Sequence, residues 1–281
     1  MMLMPKLMVF GLVFAGLAIP AVAARTVRVM SYNIRMGAGS GKWVACPEGD
    51  PWHLPEVAKT ITDAKADYIA LQEVCRKSET GGHVDQTEYL KKQTGLAGEF
   101  MKKIPKGDGD YGLAVLGRTP PKAVRKIVLP HSDHHWDHTR IVQVADFGDF
   151  CLATTHFPLK KAACAEAARV VVRELAKGDK PVILCGDFNS LPDSEAVAEL
   201  KKGFVLLSDP SKVTCPTEKP DQCIDYIFVD RAHAGRVKAS GYTVGDSKAS
   251  DHLPLWIDLE IAGVPGPAVT CPLTKATTEI Q

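Results

Sequence analysis

The stretch "KPVILCGDFNSLPDS", Lys180–Ser194, decides the fold. Val182–Cys185 is a short, unbroken apolar run, which predicts a strand buried on both faces. It leads straight into Asp187 and Asn189. Side chains alternate along an extended segment, so this reading turns Asp187 and Asn189 the same way and Phe188 into the packing. A lone Asp or Asn at a strand end is ordinarily a turn former. Here the pattern recurs along the chain. Asn33 closes "RVMSYN", Glu73 closes "DYIALQE" and His156 closes "CLATTH". Asp225 sits in "IDYIF", and Asp251 with His252 opens "DHLPLWIDLEI". Buried strands that end repeatedly in Asn, Asp, Glu or His are hard to explain as so many separate turn formers.

Working outward, strand and helix patterns alternate. Strands are predicted for "TVRVMSYNI", "DYIALQEV", "YGLAVLGR", "AVRKIVLP", "RIVQVADF", "DFCLATTHF", "PVILCGDF", "IDYIFVD" and "DHLPLWIDLEI". Helices are predicted for "PEVAKTITDAKA", with Pro55 in its first turn, and for "QTEYLKKQTG" and "DSEAVAELKKG". The clearest is "KKAACAEAARVVVRELAKG", with Ala163, Ala167, Val170, Val171 and Leu175 on one face and Gly178 as its stop. Strands outnumber helices and several pair as hairpins. That argues against a purely parallel sheet and for two mixed sheets packed face to face with helices outside. No repeat or linker divides residues 25–261.

The first 24 residues read as a leader outside the fold: Lys6, an apolar run from Leu7 to about Ile19, and a cleavage-like ending after Ala23 or Ala24. The expected location is the periplasm or the exterior, with no stable membrane insertion once the leader is removed. Without Lys6 the basic residues fall from 34 to 33, equal to the 33 acidic ones, so no chain-wide footprint for a polyanion exists. Residues 262–281 are rich in Pro, Gly and Thr and read as a C-terminal extension. All eight cysteines follow the leader, an even number that suggests disulfides in an exported protein. Cys215 with Cys223 is the favoured pair and Cys46 with Cys75 a second, while Cys151 and Cys185 fit buried strands.

Hard divalent cations take oxygen ligands, and Mg²⁺ typically uses one or two carboxylates, water and a substrate phosphate. Asn33 with Glu73 suits such an ion. Histidines with carboxylate partners suit proton transfer and stabilisation of a phosphoryl transition state. The residues together describe metal-assisted phosphoester hydrolysis.

"SYNIR", "IALQEV", "TTHFPL", "ILCGDFNSLPDS", "IDYIFV" and "SDHLPLW" resemble the ordered motifs of the endonuclease/exonuclease/phosphatase (DNase I-like) superfamily, across about Val27 to Ile261. The resemblance implies a four-layered α/β sandwich with its site at one end of two packed sheets, and Mg²⁺ or Mn²⁺ as cofactor. It also implies roles. Glu73 would be the main metal ligand, with Asn33 beside it and Asp251 lining the metal site. His252 would act as general acid/base, oriented by Asp225. Asp187 would position or activate the attacking water, and Asn189 would hold Asp187 and the phosphate. His156 and Arg140 would contact phosphate. One departure is Arg35, where abasic-site endonucleases of the superfamily carry Asp. It makes that activity less apt and weakens a second-metal site.

"MGAGSGKW" resembles a phosphate loop but has one residue too few before Gly41-Lys42 and Trp43 in place of Ser/Thr, so it reads as a loop beside the site. "HSDHHWDH" gathers His131, His134, His135 and His138 with Asp133 and Asp137 ahead of Arg140, as a substrate-contacting loop, a solvated loop or a separate metal site. Trp43 and Trp52 either pack under their loop or wall a specificity pocket. The expected activity is an exported metal-dependent phosphodiesterase or phosphatase. A secreted DNase I-like endonuclease and an inactive binding protein on the same fold are the alternatives. The expected partner is a phosphoester, with nucleic acid as one candidate, and no protein partner is evident.

Overall fold

The structure, a computed structural model, describes residues 24–42, 44, 46–131 and 139–263. Twelve strands and four α-helices occur among the described residues. The first half holds β1 (Arg25–Asn33), α1 (Leu54–Asp63), β2 (Tyr68–Arg76), α2 (Gln86–Thr94), β3 (Ala97–Lys106), β4 (Gly109–Gly117) and β5 (Ala123–Leu129). Then come β6 (Arg140–Asp146), β7 (Cys151–His156), α3 (Lys161–Leu175), β8 (Val182–Asp187), α4 (Glu195–Gly203) and β9 (Phe204–Leu206). The chain closes with β10 (Asp225–Asp230), β11 (Val237–Val244) and β12 (Leu255–Ile261).

Two mixed six-stranded sheets form, ordered β11-β12-β1-β2-β4-β3 and β5-β6-β7-β8-β10-β9. Period-2 alternation sends each central strand's side chains into two different cores. In β1, Val27 and Val29 face the second sheet, while Met30 and Tyr32 face α1 and α2. In β8, Ile183 and Cys185 face the first sheet, while Val182 and Leu184 face α3 and α4. Helix, sheet, sheet and helix thus make the four layers expected from the sequence.

The helices form where apolar spacing and caps coincide. α1 buries Leu54, Val57, Ala58 and Ile61, at helical spacing, and Pro55 occupies its first turn. The Ser194 side chain accepts from the Val197 N–H to start α4, and Asp85 does the same for α2, which stops at left-handed Gly95.

Three sequence expectations are corrected. Strands β3, β9 and β11 were not expected. Asp251 and His252 do not open the last strand, which starts at Leu255, but sit in the loop before it. All seven described cysteines are free thiols. Cys215 turns its sulfur toward His252, while Cys223 is packed into the core beneath α3 and α4 and Cys46 donates to the Asp50 carbonyl. Residues 1–23, 264–281 with Cys271, Trp43 and His134, His135 and His138 with their Asp neighbours lie outside the described residues. Of the two loop features that remain, Trp52 is half-buried with its ring 5.5 Å from that of His53, and His131 is exposed. Among the described residues, no helix is long and apolar enough to cross a membrane.

Candidate active site

Sheet register brings the polar residues into one row. His156 is the Cα partner of Asp187 across the parallel β7–β8 pair, and Asp225 is its partner across the antiparallel β8–β10 pair. Because β10 runs antiparallel, its first residue lies at the same edge as the last residue of β8. Alternation then selects the face. Leu152 of β7 and Ile227 of β10 pack between the sheets, so His156 and Asp225, an even number of residues away, emerge on that side. In the opposing sheet, Asn33 follows Val27 and Val29 onto the same face.

Glu73 gets there differently. Ile69 and Leu71 pack toward α1 and α2, so strict alternation would send Glu73 after them. A β-bulge intervenes: Leu71 pairs with Ala114 and Val74 with Gly112, which leaves Gln72 and Glu73 opposite a single residue. Glu73 takes a left-handed φ of 56°, Val74 replaces it on the helix side, and its carboxylate turns to the site. A non-glycine residue in that region costs on the order of 1–3 kcal/mol and persists where the surroundings over-determine it. Below it, Gln72 donates across the sheets to Thr154 Oγ1 at 2.9 Å, a buried polar tie between the two layers.

Asp187 Oδ2 is the focus of the row. It accepts from Asn33 Nδ2 at 3.1 Å and lies 3.5 Å from His156 Nε2 and 3.7 Å from His252 Nε2. Asn33 Nδ2 also reaches Glu73 Oε1 at 3.3 Å, and His156 Nδ1 is 3.8 Å from that oxygen. On the far side His252 Nδ1 meets Asp225 Oδ2 at 2.9 Å, and Thr214 donates to the same oxygen at 2.7 Å. Asp187 and Asp225 are 2% and 1% exposed, so their charges are held by these partners rather than by water.

Burial raises the Asp187 carboxyl to about 7, against the opposing pull of His252. Burial also works against the charged form of His252, but Asp225 and Asp187 outweigh it and hold its pKa well above the ordinary histidine value. His156 is the reverse case. Burial, helped by Arg140 and Lys103, pushes its pKa well down and keeps it neutral. The site therefore holds one charged and one neutral imidazole around a carboxyl poised near neutrality.

Asn189 corrects the alternation argument. The strand ends at Asp187, and Asn189 is left-handed with φ 46°. Its backbone N–H donates to Asp187 Oδ1 at 2.9 Å, and its side-chain amide donates to the Phe157 carbonyl at 3.0 Å. It holds Asp187 through an Asx turn, not through a shared strand face. Arg140 opens β6, is 3% exposed and acts on His156. Asp251 stands apart from Asn33 and Glu73 in its bonding: its Oδ2 is 3.1 Å from Arg35 Nε. Among the described residues, one ligand atom each of Asp187, Asp225 and His252 lies within 4.8 Å of the others. Within this group His252 Nδ1 is hydrogen-bonded to Asp225, and its Nε2 is 3.7 Å from Asp187 Oδ2. Glu73 offers a hard oxygen donor of the kind that suits Mg²⁺ or Mn²⁺ rather than a soft ion, while Asn33 turns its Nδ2 to Glu73 and its Oδ1 to the Arg35 N–H.

Three site neighbours escaped the sequence reading. Tyr111 of β4 is pushed far above the ordinary phenol range by burial and by Glu73, and the Lys103 and Lys106 ammonium groups lie 4.8 and 5.5 Å from its ring centre. Lys103 sits at a second bulge, where β3–β4 pairing slips between Lys102 and Ile104. Gly112 permits it, since a Cβ there would lie 2.0 Å from the Met101 carbonyl oxygen. Only the glycine in "YGLAVLGR" signals this, because a bulge has no apolar period.

Residues 30–252 match the model of the Endonuclease/Exonuclease/phosphatase family. Mouse Nocturnin is 24% identical over 247 residues, which cover 73% of this chain and 56% of that protein. The chain thus spans little more than half the length of this curated relative. A family protein from Bacteroides thetaiotaomicron superposes with a TM-score of 0.64 at 19% identity, covering 84% of this chain and 95% of that one. A mannosyl-6-phosphatase from the same organism superposes with a TM-score of 0.61 at 20% identity, covering 83% and 99%. At these identities the structural likeness shows the shared fold.

Proposed function

Because the chain belongs to the Endonuclease/Exonuclease/phosphatase family, we propose that it is an exported phosphoester hydrolase that works with a divalent cation. The observation that carries this reading is Asp187 Oδ2, placed between the Asn33 amide and two histidines of opposite protonation state. Asn33 and Glu73 would hold Mg²⁺ or Mn²⁺. The bound cation supplies Lewis-acid polarisation of a phosphoryl oxygen.

The chain's own groups divide the remaining work. Asp187, with its carboxyl near 7, accepts the proton of the attacking water. The Asn189 backbone N–H holds Asp187 Oδ1, leaving Oδ2 to face the reacting centre. His252 is oriented by Asp225 through Nδ1, so its Nε2–H is the proton offered to the leaving oxygen. His156 stays neutral and hydrogen-bonds a phosphate oxygen, and Arg140 adds positive charge beside it.

Charge balance and the neighbour named as a mannosyl-6-phosphatase support a small phosphoester as substrate. A nuclease is the second reading, favoured by buried Lys103 and half-buried Lys106 beside Tyr111. The apolar, small-residue-ended leader supports a periplasmic or secreted location. A panel of plasmid DNA, bis-p-nitrophenyl phosphate, p-nitrophenyl phosphate, sphingomyelin and an inositol polyphosphate, with Mg²⁺ or Mn²⁺, tests the activity. Turnover is expected on small phosphoesters and lost in folded Asp187→Ala and His252→Ala. Full turnover after chelation, or in both variants, would refute the reading.

A further inference from the structure

Arg35 follows Asn33 by two residues and has no role in the chemistry above. Its backbone is left-handed, φ 45°, and so is that of Met36, φ 56°. This two-residue twist turns the guanidinium back over the loop. Nη1 donates to the Gly39 and Gly41 carbonyls at 2.9 and 2.7 Å, and Nε meets Asp251 Oδ2 at 3.1 Å. The Arg35 N–H donates to Asn33 Oδ1 at 3.0 Å, so the same residue touches both the Asn33 side and the Asp251 side. The other Asp251 oxygen accepts from Ser250 at 3.4 Å, and its carbonyl accepts from the Thr217 N–H at 2.8 Å. Asp251 is therefore turned to Arg35 and its own loop, immediately before His252.

From this pairing we infer that Arg35 is a charge-compensating positioning residue that keeps Asp251 from acting as a ligand to the cation. Among the described residues, Glu73 is then the carboxylate left for the cation, Asp187 being given to the attacking water and Asp251 to Arg35. Ligand charge sets affinity for hard cations, and Mg²⁺ sites with few carboxylates are completed by substrate phosphate. Cation and phosphate consequently bind with positive coupling, and each tightens the other by the same factor. The identity of the anion rests on the phosphoester-hydrolase reading; the division of labour between Glu73 and Asp251 does not.

The test is a titration of the full chain with Mn²⁺, followed by the spin-resonance signal of free Mn²⁺, with and without inorganic phosphate. In the wild type, phosphate is expected to tighten Mn²⁺ by about tenfold, within the usual range of coupling between sites. Glu73→Gln is expected to lose the site. Asp251→Asn should leave Mn²⁺ affinity within about twofold, because an uninvolved carboxylate adds nothing to the ligand charge. Arg35→Ala should free Asp251, tighten Mn²⁺ alone by about fivefold and shrink the phosphate coupling, as a second carboxylate joins the set. Asp251→Asn weakening Mn²⁺ as much as Glu73→Gln would overturn the inference and leave the hydrolase reading intact. So would Arg35→Ala with unchanged affinity and coupling. Absence of any Glu73-dependent Mn²⁺ site would overturn the hydrolase reading itself. Circular dichroism checks the fold, and if Arg35→Ala does not fold, Asp251→Asn decides alone.

Discussion

Replacing Asp225 with Asn removes one negative charge while keeping the shape of the side chain. The asparagine oxygen can still accept from Thr214 and from His252 Nδ1, the two donors that now share Asp225 Oδ2 at 2.7 and 2.9 Å. What disappears is the charge that counters burial at His252. A buried hydrogen bond to a charged group contributes about 1.5–3 kcal/mol. At about 1.4 kcal/mol per pH unit, the His252 pKa should fall by about 1–2 units. Asp187, 3.7 Å from Nε2, still supports the imidazolium, so the fall stops there. The sign for stability follows. A histidine whose folded pKa is raised stabilises the fold below its unfolded value, and loses that contribution as pH rises through the folded value. The wild type should therefore exceed Asp225→Asn most at about pH 6, near the unfolded histidine value, and the gap should close at alkaline pH. Titration of the His252 ring by NMR reads the shift directly, and the alkaline limb of kcat/KM on a small phosphoester should move down with it. An unchanged ring pKa in a folded variant would refute the reasoning, because it would mean Asp225 orients His252 without charging it.

Three further outcomes follow from packing. Phe188→Ala should cost about 3–5 kcal/mol in denaturant unfolding, since the ring is fully buried against Phe157, Tyr226 and Phe228, with centroids 4.8, 5.7 and 5.4 Å away. Gly186→Ala would place a Cβ 2.2 Å from the Thr155 carbonyl oxygen; a loss of about 1–3 kcal/mol is expected, with activity falling further because the β7–β8 pairing aligns His156 with Asp187. Thr154→Val takes a partner from the buried Gln72 amide and should lower the thermal midpoint, by about 2–4 °C for each kcal/mol lost in a domain of this size. An unchanged midpoint would show that the tie between the sheets carries no stability.

Much of this was legible in one dimension because the signals are local. Apolar runs ending in Asn33, Glu73, His156 and Asp187 mark strands whose ends share an edge, and alternation assigns three of these four to the inter-sheet face. Of the four edge strands only β5 was legible, from "AVRKIVLP". β3 carries Lys102, Lys103, Pro105 and Lys106, and β11 is mostly exposed with Gly241 inside it, so neither shows an apolar period. Cysteine spacing misled, because an even count says nothing about which thiols can reach one another.

The order of buried strands and the chemical inventory of the site were set by the sequence itself, since period and residue type are properties of the chain alone. Tertiary structure decided the aim of each group. A bulge turned Glu73 from the helices to the site, an Asx turn rather than strand pleat placed Asn189, and a left-handed Arg35 claimed Asp251. Each depends on a backbone deviation or a partner distant in sequence, and neither has a period to read. Electrostatics follow the same division. Asp187 and the two histidines are ordinary titrating residues in the chain, and only burial beside one another drives their proton affinities apart.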